Sequence, residues 1–491
     1  MVSAGLVGLL VFGLAACGDD DGAAPSSSST AVSTTPMNVY EQQRADGVNA
    51  LLDDLVAALT GGDKAQLGAL IDPLATPEFR DRWYRTQADL GPTPPKRTGE
   101  EPSTTHSTAR SAPRSERPPR SARPAEPRGA NLVLRTFDYT VVQSDAPDRL
   151  IGGALGVSLG ENGSSDSWVT PVKLRYALGG VSRPGVDEPV IEVTEALAFA
   201  RYGDEWKLLG DGSLAPDPSI DPGAPAPPPE SPPWAFGGVQ AADVKTAGGA
   251  SSILSYPGTE ATVAAVRREL GPAVAAVSDF WGDDWAQRAV LMVTGDAAQF
   301  AAFTRSDPDR IAAAAAATVY SRIDRGSRTV VGQRVVMAPT AAQLSPAGVA
   351  VVLRHELTHV ATRVDTAEDA PMWLTEGVAE YVGRRGTDAE LTDVAPELAA
   401  EVAGGDLPTG LPTDEDFAGS ADAARLAYQS SWSFAEFVAD RFGDDKLRRM
   451  YLAAAQSGAA AQVDTAVESV LGADTAELVR QWQTWLRREV R

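Results

Sequence analysis

Histidine is nearly missing from this chain: there are three in 491 residues, His106, His355 and His359. Cysteine is scarcer still, with Cys17 alone, which excludes an internal disulfide and a zinc–thiolate cluster. Basic residues are outnumbered, 43 Lys and Arg against 66 Asp and Glu, for a formal charge of −23. The sequence therefore lacks the basic footprint of a nucleic-acid binder, and no nucleic-acid partner is expected. Such a charge suits a self-repelling surface facing water. The body of the chain also contains no apolar run long enough to span a bilayer.

The N-terminus is where apolar residues collect. "LVGLLVFGLAACGDD" is a short run ending in Leu14-Ala15-Ala16-Cys17, the length of an export signal rather than of a membrane span. Its end resembles a bacterial lipobox, as in actinobacterial-like lipoproteins. The resemblance implies cleavage before Cys17, a lipid on Cys17, and anchoring to the outer face of the bacterial cell membrane. A chance apolar start with a buried thiol is the alternative. No Lys or Arg precedes the run, as expected if translation starts upstream of Met1.

Behind this signal (1–17) the chain divides by composition. Residues 18–37 form a Ser/Thr-rich tether with nothing to bury in a core. A first domain spans 38–212. In its opening segment Leu51, Leu52, Leu55, Val56 and Leu59 recur at helical spacing until Gly61-Gly62. Three strand-like stretches follow: "NLVLRTFDYTVV", "SWVTPVKLRYAL" and "VIEVTEALAFARYGDEWKLLGD". Helix first, sheet afterwards, closing on "DEWKLL", resembles the α+β cone of SnoaL-like domains, and that resemblance carries no catalytic residue. Inside this domain, 92–128 is a basic Pro/Arg/Ser mixture. It reads either as a disordered loop or as the product of GC-rich coding DNA translated out of frame. A Pro-rich linker, 213–233, precedes a second domain, 234–491. There "ATVAAVRRELGPAVAAVSDFWG" reads as a helix, "RAVLMVTG" and "RTVVGQRVVMAP" as strands, and nearly everything after Ser345 as helix.

Two of the three histidines stand in "HELTH", residues 355–359. Ser345-Pro346 is a good helix start, and in the helix that follows His355 and His359 lie one turn apart on one face. That spacing lets two imidazoles reach one ion at ~2.0–2.1 Å. Glu356 stands beside the first ligand, placed to take a proton from water rather than to bind the ion. Two histidines merely packing inside a helix is the alternative. No histidine follows His359, so a third histidine ligand further on is excluded. Instead "PMWLTEGVAEYVG" opens a second helix at Pro371 with Glu376 just inside it.

HExxH followed by this segment resembles the gluzincin zinc peptidases, whose "WLNEG" glutamate is the third zinc ligand. The resemblance covers the second domain. It implies a zincin-like fold with a small sheet and a mainly helical C-terminal half. It also implies Zn2+ held by His355, His359 and Glu376, with Glu356 as the general base. Asp365 and Asp369, in the probable turn, are competing oxygen ligands, as in aspzincins. Thermolysin-like members place a carboxylate where Glu380 stands to hold a ligand histidine's other N–H; an ion pair at the surface is the other role open to Glu380. Gluzincin aminopeptidases steady the oxyanion with a downstream tyrosine, a role open to Tyr428, although a tyrosine packed in the core is the reading its residue type favours. They also hold the substrate's amine with a "GAMEN"-type acid, and "GQRVVMAPTAAQ" in the comparable place has none. The expectation is a membrane-anchored zinc endopeptidase acting on a peptide or protein substrate. The rival is a non-catalytic envelope-binding lipoprotein that keeps the zincin fold.

Overall fold

The computed structural model describes residues 39–91, 132–143, 149, 151–179, 188–215, 230–306, 314–387 and 389–490. Cys17, the tether and the 92–128 segment lie outside the described residues.

Three helices come first: α1 (Val39–Gly61), α2 (Lys64–Leu70) and α3 (Pro77–Leu90). The heptad-like spacing of α1 does what it promised, burying Leu51, Leu52, Leu55 and Leu59 on one side. The sheet then follows: β1 (Leu134–Val141), a short α4 (Gly153–Glu161), β2 (Asp166–Leu178), β3 (Ile191–Tyr202) and β4 (Glu205–Asp211). Its order is β1-β2-β3-β4, antiparallel throughout. The third strand-like stretch of the sequence is therefore two strands. The chain reverses between Tyr202 and Glu205, where Gly203 takes φ 64°, a conformation glycine adopts at no steric cost.

The second half begins with a hairpin, β5 (Gln240–Thr246) and β6 (Gly249–Ser255), then α5 (Glu260–Trp281), β7 (Val290–Val293) and α6 (Ala297–Thr304). Next come β8 (Ala316–Val319), a small hairpin of β9 (Arg322–Asp324) and β10 (Thr329–Val331), and β11 (Arg334–Met337). A five-stranded mixed sheet results, ordered β5-β6-β7-β11-β8, with β8 at one edge. Helices make up the rest: α7 (Pro346–Thr362), α8 (Met372–Arg384), α9 (Leu391–Val394), α10 (Pro396–Gly404), α11 (Asp414–Ala418), α12 (Ala421–Phe442), α13 (Asp444–Ala454), α14 (Ala460–Leu471) and α15 (Thr475–Glu489).

Strand periodicity shows how the halves meet. Ile253, Leu291, Val293, Val335 and Met337 point into the core built with α5, α7, α8 and α12. Their neighbours Leu254, Met292 and Val336 point the other way, into a core shared with Leu52, Trp83 and Tyr176 of the first half. The central sheet is thus covered on both faces, which its continuous apolar strands require. Trp234, expected to open the second domain, packs edge-on against Phe137 and Tyr176 at centroid distances of 5.4 and 5.0 Å. The boundary read from composition is therefore crossed by one hydrophobic core. A buried ion pair, Glu188 with Arg334 on β11, ties the same seam.

Candidate active site

The Ser345 hydroxyl accepts from Gly348 N–H and Pro346 occupies the first turn, so α7 starts where a cap and a preset φ agree. Two glycines then let α8 come close. A Cβ on Gly377 would stand 2.5 Å from the Ser431 carbonyl oxygen of α12, and one on Gly383 would stand 3.1 Å from the Val351 oxygen of α7. These approaches bring the carboxylates of α8 against the histidines of α7.

His355 Nε2 and His359 Nε2 are 3.1 Å apart. Glu376 Oε2 lies 3.4 Å from His355 Nε2, and its Oε1 lies 3.6 Å from His359 Nε2. One ligand atom from each of the three residues falls within 4.8 Å of the other two. Glu376 Oε2 is buried and accepts no hydrogen bond among the described residues. Two imidazoles and a carboxylate so arranged are the donor set of a zinc site that keeps a position for solvent, and the orphaned buried oxygen fits an ion there. Asp365 and Asp369 do not join the group: Asp365 is paired with Arg328 at 2.8 Å, and Asp369 is exposed.

Around this set the charges are buried and mutually dependent. Glu380 Oε2 lies 3.0 Å from His355 Nδ1, while its Oε1 accepts from Arg384 Nε at 2.6 Å. Burial opposes charge on His355, but the carboxylates of Glu376 and Glu380 beside it overcome that and lift the imidazole to about 10. Burial likewise opposes charge on Glu376 and Glu380. The histidines outweigh it at Glu376, and Arg384 with His355 outweighs it at Glu380, so both carboxyls are held down at about 2. Glu356 is shifted the other way: burial raises it, against the lowering pull of the two histidines and of a hydrogen bond from Thr318. Thr318 Oγ1 donates to Glu356 Oε2 at 2.6 Å, whereas Glu356 Oε1 is buried with no hydrogen bond among the described residues.

The site opens into a cavity of about 290 Å³ whose walls include Thr318, His359, Arg363, Thr366, Glu376 and Tyr451. Tyr428 is not among the wall residues; it is buried, with its ring edge-on to Phe417 at 5.0 Å. The sequence reading missed Thr318 and Tyr451. Thr318 sits in an alanine run, and Tyr451 is one buried aromatic among many in the C-terminal helices. Strand alternation was the available signal for Thr318, since Ala316 faces the α7 side and Ala317 the other.

Residues 328–488 match the family profile described as the Peptidase MA superfamily. No curated protein matches. Among solved structures, the chain is similar to an M1 zinc metallopeptidase from Deinococcus radiodurans, with 14% identity and a TM-score of 0.32 over 50% of this chain and 52% of that one. It is also similar to a variant from that organism bound to a Tyr-Ser-Ala substrate, with 15% identity and a TM-score of 0.31 over 51% of this chain and 52% of that one. The chain spans about half the length of these relatives. The family match takes in α7 and α8, and with them His355, Glu356, His359 and Glu376.

Proposed function

We propose that this chain is an exported, lipid-anchored zinc peptidase that cleaves within polypeptides. One observation carries the catalytic part: His355, His359 and Glu376 converge within 4.8 Å of one another, with Glu356 buried on the same helix as both histidines. His355 and His359 would present Nε2, and Glu376 a carboxylate oxygen. Zn2+ held there supplies Lewis acidity, polarising a carbonyl and acidifying water. Glu380, itself held by Arg384, accepts from His355 Nδ1 and so fixes the tautomer that leaves Nε2 free. Glu356 takes the proton of the attacking water as its oxygen adds to the carbonyl carbon. It then hands that proton to the amine as the C–N bond breaks.

The endopeptidase reading is supported by residues 332–343, which hold no carboxylate to grip a substrate's free amine. Anchoring rests on the Leu14-Ala15-Ala16-Cys17 ending; Cys17→Ser would release the protein to the medium, and full retention on membranes would remove this part. A SnoaL-like origin for the first domain is supported by its order of helices, then antiparallel sheet. A binding lipoprotein that merely kept the fold has no need of a glutamate buried beside two histidines. The test is cleavage of casein by the purified chain, abolished by a chelator and restored by Zn2+. Absence of cleavage from the zinc-loaded chain on unfolded substrates generally would favour the binding protein.

A further inference from the structure

We infer that Thr318 is a positioning residue that aims Glu356, leaving one of its two carboxylate oxygens as the proton acceptor. This rests on the peptidase reading above for its catalytic consequence, and on geometry alone for the aiming itself.

Thr318 lies on β8, the edge strand of the central sheet. Side chains alternate along a strand, and here Ala316 faces the core of α7 while Ala317 and Val319 face the opposite core. Thr318 therefore points at α7, where it meets Glu356. Its hydroxyl has one proton and two acceptors in reach, Glu356 Oε2 at 2.6 Å and the Glu356 carbonyl oxygen at 3.2 Å. The contact to Oε2 is much the shorter, so the hydroxyl proton is directed there. Both residues are buried, Thr318 at 7% and Glu356 at 0% relative exposure.

The consequence is an asymmetric carboxylate. Oε2 is tied to the sheet, and Oε1 is buried without a hydrogen bond among the described residues. A glutamate so held cannot swing through its rotamers, and the oxygen left over is the one available to a water proton. Threonine suits the task because its branched Cβ keeps χ1 stiff, so the hydroxyl direction is set by the strand backbone. Thr318 also borders the cavity that His359 and Glu376 line.

Thr318→Val keeps shape and strand preference and deletes only the hydroxyl. The zinc-loaded variant should keep its zinc and its KM but lose roughly 10- to 100-fold in kcat, the usual cost of removing such a supporting contact. Thr318→Ser should recover most of that loss, less a part for its freer χ1. Crystals of the zinc-loaded forms provide a readout independent of turnover: one Glu356 rotamer in the wild type and more than one in Thr318→Val. An unchanged kcat in Thr318→Val, or no recovery in Thr318→Ser, overturns the inference. If the wild type cleaves no peptide, the peptidase reading falls, and the crystals still decide the aiming. A single unchanged Glu356 rotamer in Thr318→Val then overturns it, and a multiple one upholds it.

Discussion

At Glu380 two partners share one carboxylate, His355 Nδ1 on Oε2 and Arg384 on Oε1. From sequence, a helper to a ligand histidine and a partner in a surface ion pair were both open to Glu380, four residues after Glu376. The structure makes the two roles one, since Arg384 steadies the carboxylate that steadies the imidazole. Tyr428 goes the other way. Its position on a late helix suggested an oxyanion donor, yet its ring packs on Phe417 away from the cavity walls. Tyr428→Phe, which deletes only the hydroxyl, should therefore leave kcat within about twofold of wild type, where loss of a true oxyanion donor costs ~10²–10³. Steady-state kinetics on a fluorogenic peptide measures this, and a loss of that larger size would return Tyr428 to the chemistry.

Among elements, α8 shows how local rules yield to packing. Alanine is favoured over glycine inside a helix by ~1 kcal/mol, so Gly377→Ala would stabilise α8 taken alone. The Ser431 carbonyl, 2.5 Å from the added Cβ, reverses the sign. Overpacking of this kind costs ~1–3 kcal/mol, and α8 must shift with Glu376 on it. Gly377→Ala should therefore lower the denaturant midpoint and weaken zinc retention together. Gly160→Ala in α4, with nothing within 4 Å of the added Cβ, should raise the midpoint slightly or leave it unchanged. A stabilised Gly377→Ala would mean that the α8–α12 contact is looser than described.

The same contest explains what the sequence hid. The HExxH face of α7 was legible because helical spacing and a capped start act over neighbouring residues. Glu376 was legible through the resemblance of "WLTEG" to the gluzincin "WLNEG" segment, on a helix whose start Pro371 marks. Strand β8 was not: it leaves a run of alanines, the best helix formers, yet it pairs as an extended strand with β11. Nor were β5 and β6 foreseen, because Ala241, Ala242, Gly249 and Ala250 offer little of the branched pattern that marks a strand.

Over the whole molecule, the seam between the halves carries stability that composition did not reveal. Tyr256, Met292, Phe300, Phe303 and Val336 sit in the core shared with the first half. At ~1.5–3 kcal/mol for each fully buried side chain, losing half of that burial removes about 5 kcal/mol, the lower end of a whole domain's net stability. Composition saw only the prolines of the linker, while these contacts join residues far apart in sequence. Asp89 makes the seam sensitive to pH. Buried at the end of α3, it accepts from Gly238 N–H at 2.8 Å just before β5. Burial nonetheless raises its carboxyl to about 6 against the lowering effect of the Gly238 and Val239 amides. The folded chain therefore keeps this proton where the unfolded chain has lost it, so this group's contribution to stability falls as pH rises from about 4 to about 6. Asp89→Asn should raise Tm at pH 7.5 and change it little at pH 4, with both halves melting in one calorimetric transition. An equal shift at both pH values would refute the assignment.

Glu356 and Glu376, on adjacent helices of one site, are proposed to do different work. Zinc content by emission spectroscopy beside a casein assay, on Glu356→Gln and Glu376→Gln, separates them. Glu356→Gln should retain about one zinc per chain and lose roughly 10²–10⁴ in rate, as removal of a general base does. Glu376→Gln should lose zinc and activity together, because one of three protein ligands is gone. Full zinc in Glu376→Gln, or zinc lost from Glu356→Gln, would contradict the account.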